Sequence, residues 1–405
     1  MSTACEDVLA LAIEAFTETF GDVNGDMVYG FAPGRVNLIG EHTDYNDGFV
    51  LPMALPLVTV VIGRRNNTQT SRIVTTCETI DDQKDITFEL GSICRGSPKW
   101  ANYVKGVIFN FHRPVREGFD AIIASSVPLG GGLSSSASLE VAVYSFLEAL
   151  TGTNEADLSR KALACQKAEH DFAEVPCGIM DQFISTMAKE GHALLIDCAS
   201  LEATSVPLDD PNVKIVIVNS NVRHELTGSE YKTRRDECES VASHLGVKSL
   251  RFATRDNLNG VRAKLSTEEA KRACHVISEI ERTRRGAELL KNKDYQMFGK
   301  FMIDSHNSLR KDFEVSCKEL DELVNIALSV DGVYGSRMTG GGFGGCTVSL
   351  VKTDAVENLT DKIMKNYSGN ATLFVCSAGG GARFGKLQDI PLKLWSDSQL
   401  FPVHL

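Results

Sequence analysis

The spacing of hydrophobic residues predicts that strands and helices alternate irregularly along the chain. Leu9, Ile13, Phe16 and Phe20 recur at helical spacing, so an amphipathic helix is expected near the start. Runs of apolar and β-branched residues predict strands at 27–31, 51–62, 72–90, 119–126, 193–197, 213–219, 346–351 and 372–375. Helical spacing predicts helices at 100–111, 139–150, 157–172, from 179 onward and over most of 225–331.

The order of these elements favours an α+β fold over a doubly wound sheet, because strands and helices do not alternate strictly. We expect a β-rich N-terminal lobe over residues 1–200 and a helix-rich C-terminal lobe over 201–405, although the last strands could return to either lobe. A turn is predicted at Pro33 and Gly34.

Composition narrows the class of protein. The chain has 405 residues and a formal charge of −11, which disfavours binding to nucleic acid or to anionic membranes. Its 11 cysteines are scattered, without CxxC pairs, which is typical of a reduced protein. The start of the chain does not resemble a secretory signal, and no apolar run is long enough to span a bilayer. We therefore expect a cytoplasmic protein with no nucleic-acid or membrane partner.

A glycine- and serine-rich loop at 128–137 (PLGGGLSSSA) follows a predicted strand and precedes a predicted helix. Glycines allow close approach of the backbone to a ligand, and the free N–H groups of a helix start favour an anion. The loop lacks the lysine of a P-loop, and its alternative interpretation is a serine-capped helix after a flexible turn. The strand–loop–helix context favours phosphate binding.

A second glycine cluster at 340–345 precedes a strand. By itself it is more typical of a tight turn or a bulge than of a ligand site. Two such loops in one chain make nucleotide binding more plausible than either loop alone.

Polar residues are concentrated in a segment between two strands. Arg35, Asn37, Glu41, His42 and Asp44 offer donors and acceptors that suit a polyhydroxylated ligand, although most such stretches are solvated loops. Further along, Asp181 lies at a helix start, where an acid often acts only as a cap, and Glu169 lies near the end of the preceding helix. No clustered His/Cys set or HExxH motif indicates zinc.

Three of these segments resemble motifs of a known family. Residues 34–45 (GRVNLIGEHTDY) are similar to the galactokinase signature. Residues 129–138 (LGGGLSSSAS) and 335–346 (GSRMTGGGFGGC) resemble the phosphate loop and third motif of the galactokinase, homoserine, mevalonate and phosphomevalonate kinase (GHMP) superfamily. The resemblance implies a two-lobed GHMP kinase fold, with mixed β-sheets, flanking helices and an active site in the cleft between the lobes.

The resemblance also implies an activity: transfer of the γ-phosphate of Mg-ATP to the C1 hydroxyl of α-D-galactose, at the start of galactose catabolism. It implies that Asp181 faces that hydroxyl beside Arg35, and whether Asp181 takes the proton or mainly aligns the hydroxyl stays open. The other implied site residues fall into four groups: sugar contacts at Glu41, His42, Asp44, Gly178 and Tyr231; phosphate contacts at Gly131, Gly132, Leu133, Ser134, Ser135 and Ser136; magnesium ligands at Ser136 and Glu169; and an adenine contact at Trp100.

Two alternatives are related to this activity, one that shares all three motifs and one that shares the fold. An N-acetylgalactosamine kinase would need room for an acetamido group at C2 of the sugar. A sensor that binds sugar and ATP without turnover would differ in the serine-rich loop, which is intact here. We expect a monomeric enzyme whose partners are galactose and ATP.

Overall fold

The computed structural model describes residues 3–23, 25–80, 83–223 and 227–390. The strands in chain order are β1 (Val28–Asn37), β2 (Phe49–Val50), β3 (Pro52–Arg65), β4 (Thr70–Thr75), β5 (Asp85–Glu89), β6 (Phe119–Ser125), β7 (His192–Asp197), β8 (Glu202–Pro207), β9 (Val213–Arg223), β10 (Val333–Thr339), β11 (Gly344–Lys352), β12 (Thr372–Cys376) and β13 (Arg383–Lys386).

The α-helices are α1 (Thr3–Phe20), α2 (Lys99–Asn110), α3 (Ser135–Thr151), α4 (Leu158–Ala168), α5 (Met180–Met187), α6 (Thr227–Leu245), α7 (Arg255–Val261), α8 (Thr267–Lys291), α9 (Tyr295–Ser308), α10 (Lys318–Leu328) and α11 (Val356–Asn366). Among the residues described, none of these helices is both long enough and apolar enough to cross a bilayer.

The strands form three sheets. The six-stranded sheet has the order β13-β1-β3-β6-β4-β5, and its β4–β6 pair is parallel. The four-stranded sheet has the order β10-β11-β9-β12, and the three-stranded sheet has the order β2-β7-β8. Mixed sheets with helices packed against them confirm the predicted α+β class. The last two strands separate, since β12 joins β9 in one sheet whereas β13 pairs with β1 in another.

One hydrophobic core connects the six- and four-stranded sheets. Val36 and Leu38, from β1 and just beyond it, are buried in the same cluster as Ile215 of β9 and Val348 of β11. A second cluster packs α2 and α3 against the six-stranded sheet, and a third packs α1 against it through the alternate residues Val58, Val60 and Ile62 of β3. Leu133, just before α3, belongs to the first cluster and the later turns of α3 belong to the second, so both clusters fix the start of this helix.

The predicted turn at Pro33 and Gly34 is wrong. Strand β1 continues through both residues, with a shift of register against β3 between Pro33 and Arg35. Gly34 is needed there for close approach, because a Cβ at this position would lie 2.7 Å from the carbonyl oxygen of Leu133. The irregular backbone therefore brings β1 against the glycine- and serine-rich loop.

The second glycine cluster is the tight turn that its pattern favoured, since it connects the antiparallel strands β10 and β11. The strands β2, β8, β10 and β13 and the helix α11 were not predicted. Residues 335–339, at the start of the third motif, lie in β10.

Candidate active site

The centre of the candidate site is an ion pair between two residues far apart in the chain. Nε of Arg35 donates to Oδ1 of Asp181 at 2.7 Å, and Nη2 donates to Oδ2 at 2.8 Å. Nη1 of the same guanidinium donates to the carbonyl oxygen of Gly132 at 2.6 Å. One buried arginine thus joins the carboxylate at the start of α5 to the loop before α3.

The glycine- and serine-rich loop is shaped by residues with positive φ. Gly130, Gly132 and Ser134 have φ angles of 66°, 75° and 61°. The hydroxyl of Ser134 donates to Asp181 and does not cap the helix. The first N–H groups of α3, which include those of Ser135, therefore have no side-chain cap, and the positive end of the helix dipole favours an anion at this point.

The third motif packs directly behind this loop. The thiol of Cys346 donates to the carbonyl oxygen of Gly131 at 2.8 Å. Cβ atoms at Gly340 and Gly345 would lie 3.2 Å from the carbonyl oxygens of Gly132 and Gly131. Small residues on both sides therefore let two loops pack closely, while Leu133 between them is fully buried.

Asp44 lies on the far side of the ion pair, against Gly178. A Cβ at position 178 would lie 1.7 Å from Oδ2 of Asp44, so any larger residue would displace this carboxyl. Burial and, to a lesser extent, the nearby charge of Asp181 together raise the pKa of Asp44 to about 7. A ligand hydroxyl that donates a hydrogen bond to Asp44 therefore stabilises the ionised form of this carboxyl.

Aromatic rings surround His42 beside Asp44. The ring of Tyr231 has its centroid 5.6 Å from that of His42 and 5.4 Å from that of Tyr45. Nδ1 of His42 forms a hydrogen bond with the hydroxyl of Tyr45 at 2.8 Å. Burial and the neighbouring His275 lower the pKa of His42 to about 3, so this imidazole is neutral at physiological pH.

Glu41 is buried in a network that ties β1 to the third motif. Its Oε1 accepts hydrogen bonds from the N–H of Gly340 at 2.6 Å and the hydroxyl of Thr339 at 3.0 Å. Its Oε2 accepts one from the side-chain amide of Asn37. Nη1 of Arg337 lies 3.5 Å from Oε1. Both carboxylate oxygens of Glu41 therefore have partners within the protein.

A second group of carboxylates lies next to the ion pair. Nε2 of Gln182 donates to Oε2 of Glu169 at 2.7 Å and to Oε2 of Glu140 at 3.0 Å. Burial raises the pKa of Glu169 to about 7, while a hydrogen bond from Ser136 opposes that shift. Burial and the charge of Glu169 also raise the pKa of Glu140. In the described part of the chain, the buried Oε1 of Glu140 has no hydrogen-bond partner. Two adjacent buried carboxyls with an unused oxygen suit a cation.

Trp100 lies apart from these contacts. It is in the first turn of α2, and its indole N–H donates to the carbonyl oxygen of Gln83 at 2.8 Å. The structure thus brings together Arg35, Asp181, Asp44, Gly178 and the loop before α3, and it places Trp100 at a separate element.

Three residues of the site were missed in the sequence. All three are buried: Arg337 contacts Glu41, Gln182 contacts Glu169, and Glu140 is joined to Glu169 through Gln182. Arg337 stands inside the third motif, whose glycines had drawn attention instead. For Glu140 and Gln182 the sequence offers one indication of a functional role: each is a polar residue at an otherwise apolar position of a helix.

Comparison with known proteins identifies the family. Residues 14–65 match the galactokinase galactose-binding signature, 102–189 the N-terminal domain of GHMP kinases, and 287–369 their C-terminal domain. The chain is 52% identical to the human galactokinase over 381 residues, which are 93% of this chain and 96% of that protein. It is 43% identical to the Haemophilus influenzae galactokinase over 364 residues, 87% and 94% of the two chains.

Solved structures agree with these matches. Lactococcus lactis galactokinase complexed with galactose superimposes with a TM-score of 0.88 at 33% identity, covering 93% of this chain and 99% of that one. Methanococcus jannaschii mevalonate kinase superimposes with a TM-score of 0.63 at 20% identity over 88% of this chain and 100% of that one, a likeness of fold alone. The predicted GHMP kinase fold and ATP-dependent sugar kinase activity are confirmed, and this chain belongs to the galactokinase family.

Proposed function

We propose that this chain transfers the γ-phosphate of ATP to the C1 hydroxyl of α-D-galactose, which gives galactose 1-phosphate and ADP. The observation that carries the proposal is the double contact of Arg35 with Asp181 and with the carbonyl oxygen of Gly132. A carboxylate suited to a sugar hydroxyl and a loop suited to phosphates are thereby held by one side chain. Phosphoryl transfer depends mainly on such positioning.

Asp181 and Arg35 divide the chemical step between them. Asp181 orients the C1 hydroxyl and accepts its proton as the new O–P bond forms and the bond to ADP breaks. Arg35 stabilises the negative charge on the phosphoryl group during the transfer. Since Arg35 also contacts the phosphate loop, movement of either partner would misalign both reactants.

Sugar selectivity comes from the residues around Asp44. Asp44 and Gly178 contact the ring hydroxyls. Neutral His42 and Tyr231 form the adjacent wall of the sugar site. Glu41 holds the signature segment in place and contacts the sugar through its remaining lone pairs. A buried acceptor that loses its donor is costly, so the site rejects sugars whose hydroxyls point elsewhere.

The phosphates of ATP bind at the start of α3. The backbone N–H groups of Ser135 and Ser136, together with Gly131, Gly132, Leu133 and Ser134, form this cradle. Ser136 and Glu169 would hold Mg²⁺, which would supply neutralisation of the phosphate charge. The buried carboxyl pair of Glu140 and Glu169 supports this choice of metal site. Adenine binds on the side of Trp100.

The free thiols of all 11 cysteines support a reducing compartment, and we place the enzyme in the cytoplasm. We also propose that it is a monomer.

A coupled assay of ADP release tests the proposed reaction. Purified enzyme with Mg-ATP is given galactose, N-acetylgalactosamine, glucose or no sugar. We expect turnover with galactose and at least tenfold lower kcat/KM with each other sugar, because each alters a hydroxyl at the site. A higher kcat/KM with N-acetylgalactosamine than with galactose would show that galactose is not the preferred substrate. Absence of turnover with every sugar would indicate a sensor.

A further inference from the structure

A basic cavity lies outside the candidate active site. It has a volume of about 750 Å³ and is bounded by α8, α9, the strand β2 and the segment around residues 251–255. Five arginines line it: Arg251, Arg255, Arg282, Arg284 and Arg285. Such a concentration of positive charge is unexpected in a chain with a net charge of −11. Its volume is in the range of small-molecule sites.

Only part of this charge is neutralised by the protein. Three arginines are paired with carboxylates: Arg251 with Asp197, Arg282 with Glu279, and Arg284 with Glu281. Within the parts of the chain that the structure describes, Arg255 and Arg285 have no carboxylate within 4.0 Å. Two guanidinium groups are therefore available to an anion. A phosphate monoester carries a charge of about −1.5 to −2 at pH 7 and matches them.

The walls between the arginines are apolar and aromatic. The guanidinium of Arg251 lies 3.9 Å from the ring centroid of Phe49, and that of Arg285 lies 5.4 Å from the centroid of Phe301. Ile277 also lines the cavity. Stacking holds each planar group in place, so that its N–H donors can form paired hydrogen bonds with phosphate oxygens. The apolar surface would remain in contact with water if inorganic phosphate bound, whereas an organic ester covers it.

The cavity is connected to the sugar signature by one carboxylate. Arg282 pairs with Glu279, whose Oε1 accepts hydrogen bonds from the backbone N–H of Gly40 at 3.0 Å and from Ser305 at 2.6 Å. Gly40 immediately precedes Glu41 in the sugar signature. Arg282 binds the other oxygen of this carboxylate, Oε2, so an anion that draws Arg282 away leaves Glu279 free to shift relative to Gly40.

We propose that the basic cavity is a regulatory site for a small organic phosphate monoester, and that its occupancy weakens galactose binding. The second part rests on the proposed function, whereas the first does not. Because coupling between two sites is reciprocal, galactose must weaken binding of the ester by the same factor.

Calorimetric titration with phenyl phosphate tests binding to this site. The enzyme is first saturated with Mg²⁺ and a non-hydrolysable ATP analogue, so that the phosphate loop is filled. We expect one equivalent to bind, with Kd at least tenfold higher in the double variant Arg255→Ala/Arg285→Ala and unchanged in the control Arg262→Ala, an exposed arginine that does not line the cavity. No saturable binding, or equal binding by the double variant, overturns the proposal. If inorganic phosphate binds as tightly, the ester specificity is wrong.

A second titration tests the coupling. Galactose Kd is measured with and without saturating phenyl phosphate, and we expect it to rise at least threefold in the wild type and to stay constant in the double variant. A constant Kd in the wild type refutes the regulatory role. Failure of the proposed function is distinguishable, because it would abolish galactose binding or turnover in the absence of phenyl phosphate.

Discussion

At the scale of single residues, the candidate site places several carboxyls around one guanidinium. Burial acts to lower the pKa of Arg35, but the charges of Asp181 and Glu41 outweigh it and the net pKa is raised. Arg35 is therefore charged at any physiological pH. For Asp44 the charged form is disfavoured instead, because burial and the charge of Asp181 both raise its pKa. Asp44 is thus a site carboxyl whose charge depends on pH near neutrality, and Glu169 is another.

This arrangement predicts a pH dependence of sugar use. Below its pKa of about 7, Asp44 is protonated and loses its capacity to accept two hydrogen bonds from sugar hydroxyls. We expect kcat/KM for galactose, at saturating Mg-ATP, to be constant above pH 8 and to fall about tenfold per pH unit below pH 6. The same profile is measured for Asp44→Asn, which cannot titrate at this position. Its inflection near pH 7 should be absent, and a retained inflection would assign the titration to another group.

Removal of the Asp44 side chain should weaken the use of galactose independently of pH. Asp44→Ala should raise KM for galactose at least tenfold, because a hydrogen bond to a charged group contributes about 1.5 to 3 kcal/mol. KM for ATP should change little. The matched control is Asp47→Ala on the same segment, where the acid forms a surface ion pair with Lys248 at 3.3 Å. Equal effects of the two variants on KM for galactose would argue against a sugar contact at Asp44.

The pairing of two motif residues could be anticipated from the sequence, whereas the partners of other buried polar residues could not. Arg35 and Asp181 were expected to meet, and they do. Arg337 was not expected to contribute, although its Nη1 donates to the carbonyl oxygen of Asn37 at 3.1 Å from the opposite sheet. A lone arginine among glycines carries no signal of burial, since arginine is usually exposed.

At the scale of elements, close packing at glycine fixes the site. The segment before α5 reaches Asp44 only because Gly178 has no Cβ. Similarly, β1 reaches the carbonyl oxygen of Leu133 only because residue 34 is glycine. The sequence pattern indicated a turn at Gly34, because glycine in a turn and glycine at a close approach look alike without the neighbouring element. Strands β8 and β13 were also not predicted, because both are short and partly exposed and so lack a clear pattern of apolar residues.

Substitution of Gly178 tests this packing. Gly178→Ala would place a methyl group 1.7 Å from Oδ2 of Asp44, so the carboxyl must move. We expect KM for galactose to rise at least tenfold, with the ATP site unaffected. Gly260→Ala is the matched control, because a Cβ in that helix meets nothing within 4 Å. Wild-type KM for galactose in the Gly178 variant would contradict the assigned contact.

At the scale of the whole molecule, the active site depends on two sheets that share a core. Glu41 and Arg337 join the signature segment to the third motif across roughly three hundred residues of sequence. The mixed fold class followed from the irregular order of elements, and it is confirmed. The return of β13 to pair with β1 was not predictable, because strand pairing over such separation depends on which edge remains uncovered. The division into lobes at residue 200 stays a prediction.

The central claim is that Asp181, held by Arg35, acts on the C1 hydroxyl, and the turnover of Asp181→Asn tests it most directly. Asparagine keeps the shape of the side chain but cannot accept the proton. We expect kcat to fall at least a hundredfold, while calorimetric Kd for galactose stays within tenfold of wild type and shows that the site is folded. If the variant binds galactose and retains kcat within tenfold of wild type, Asp181 does not have this role.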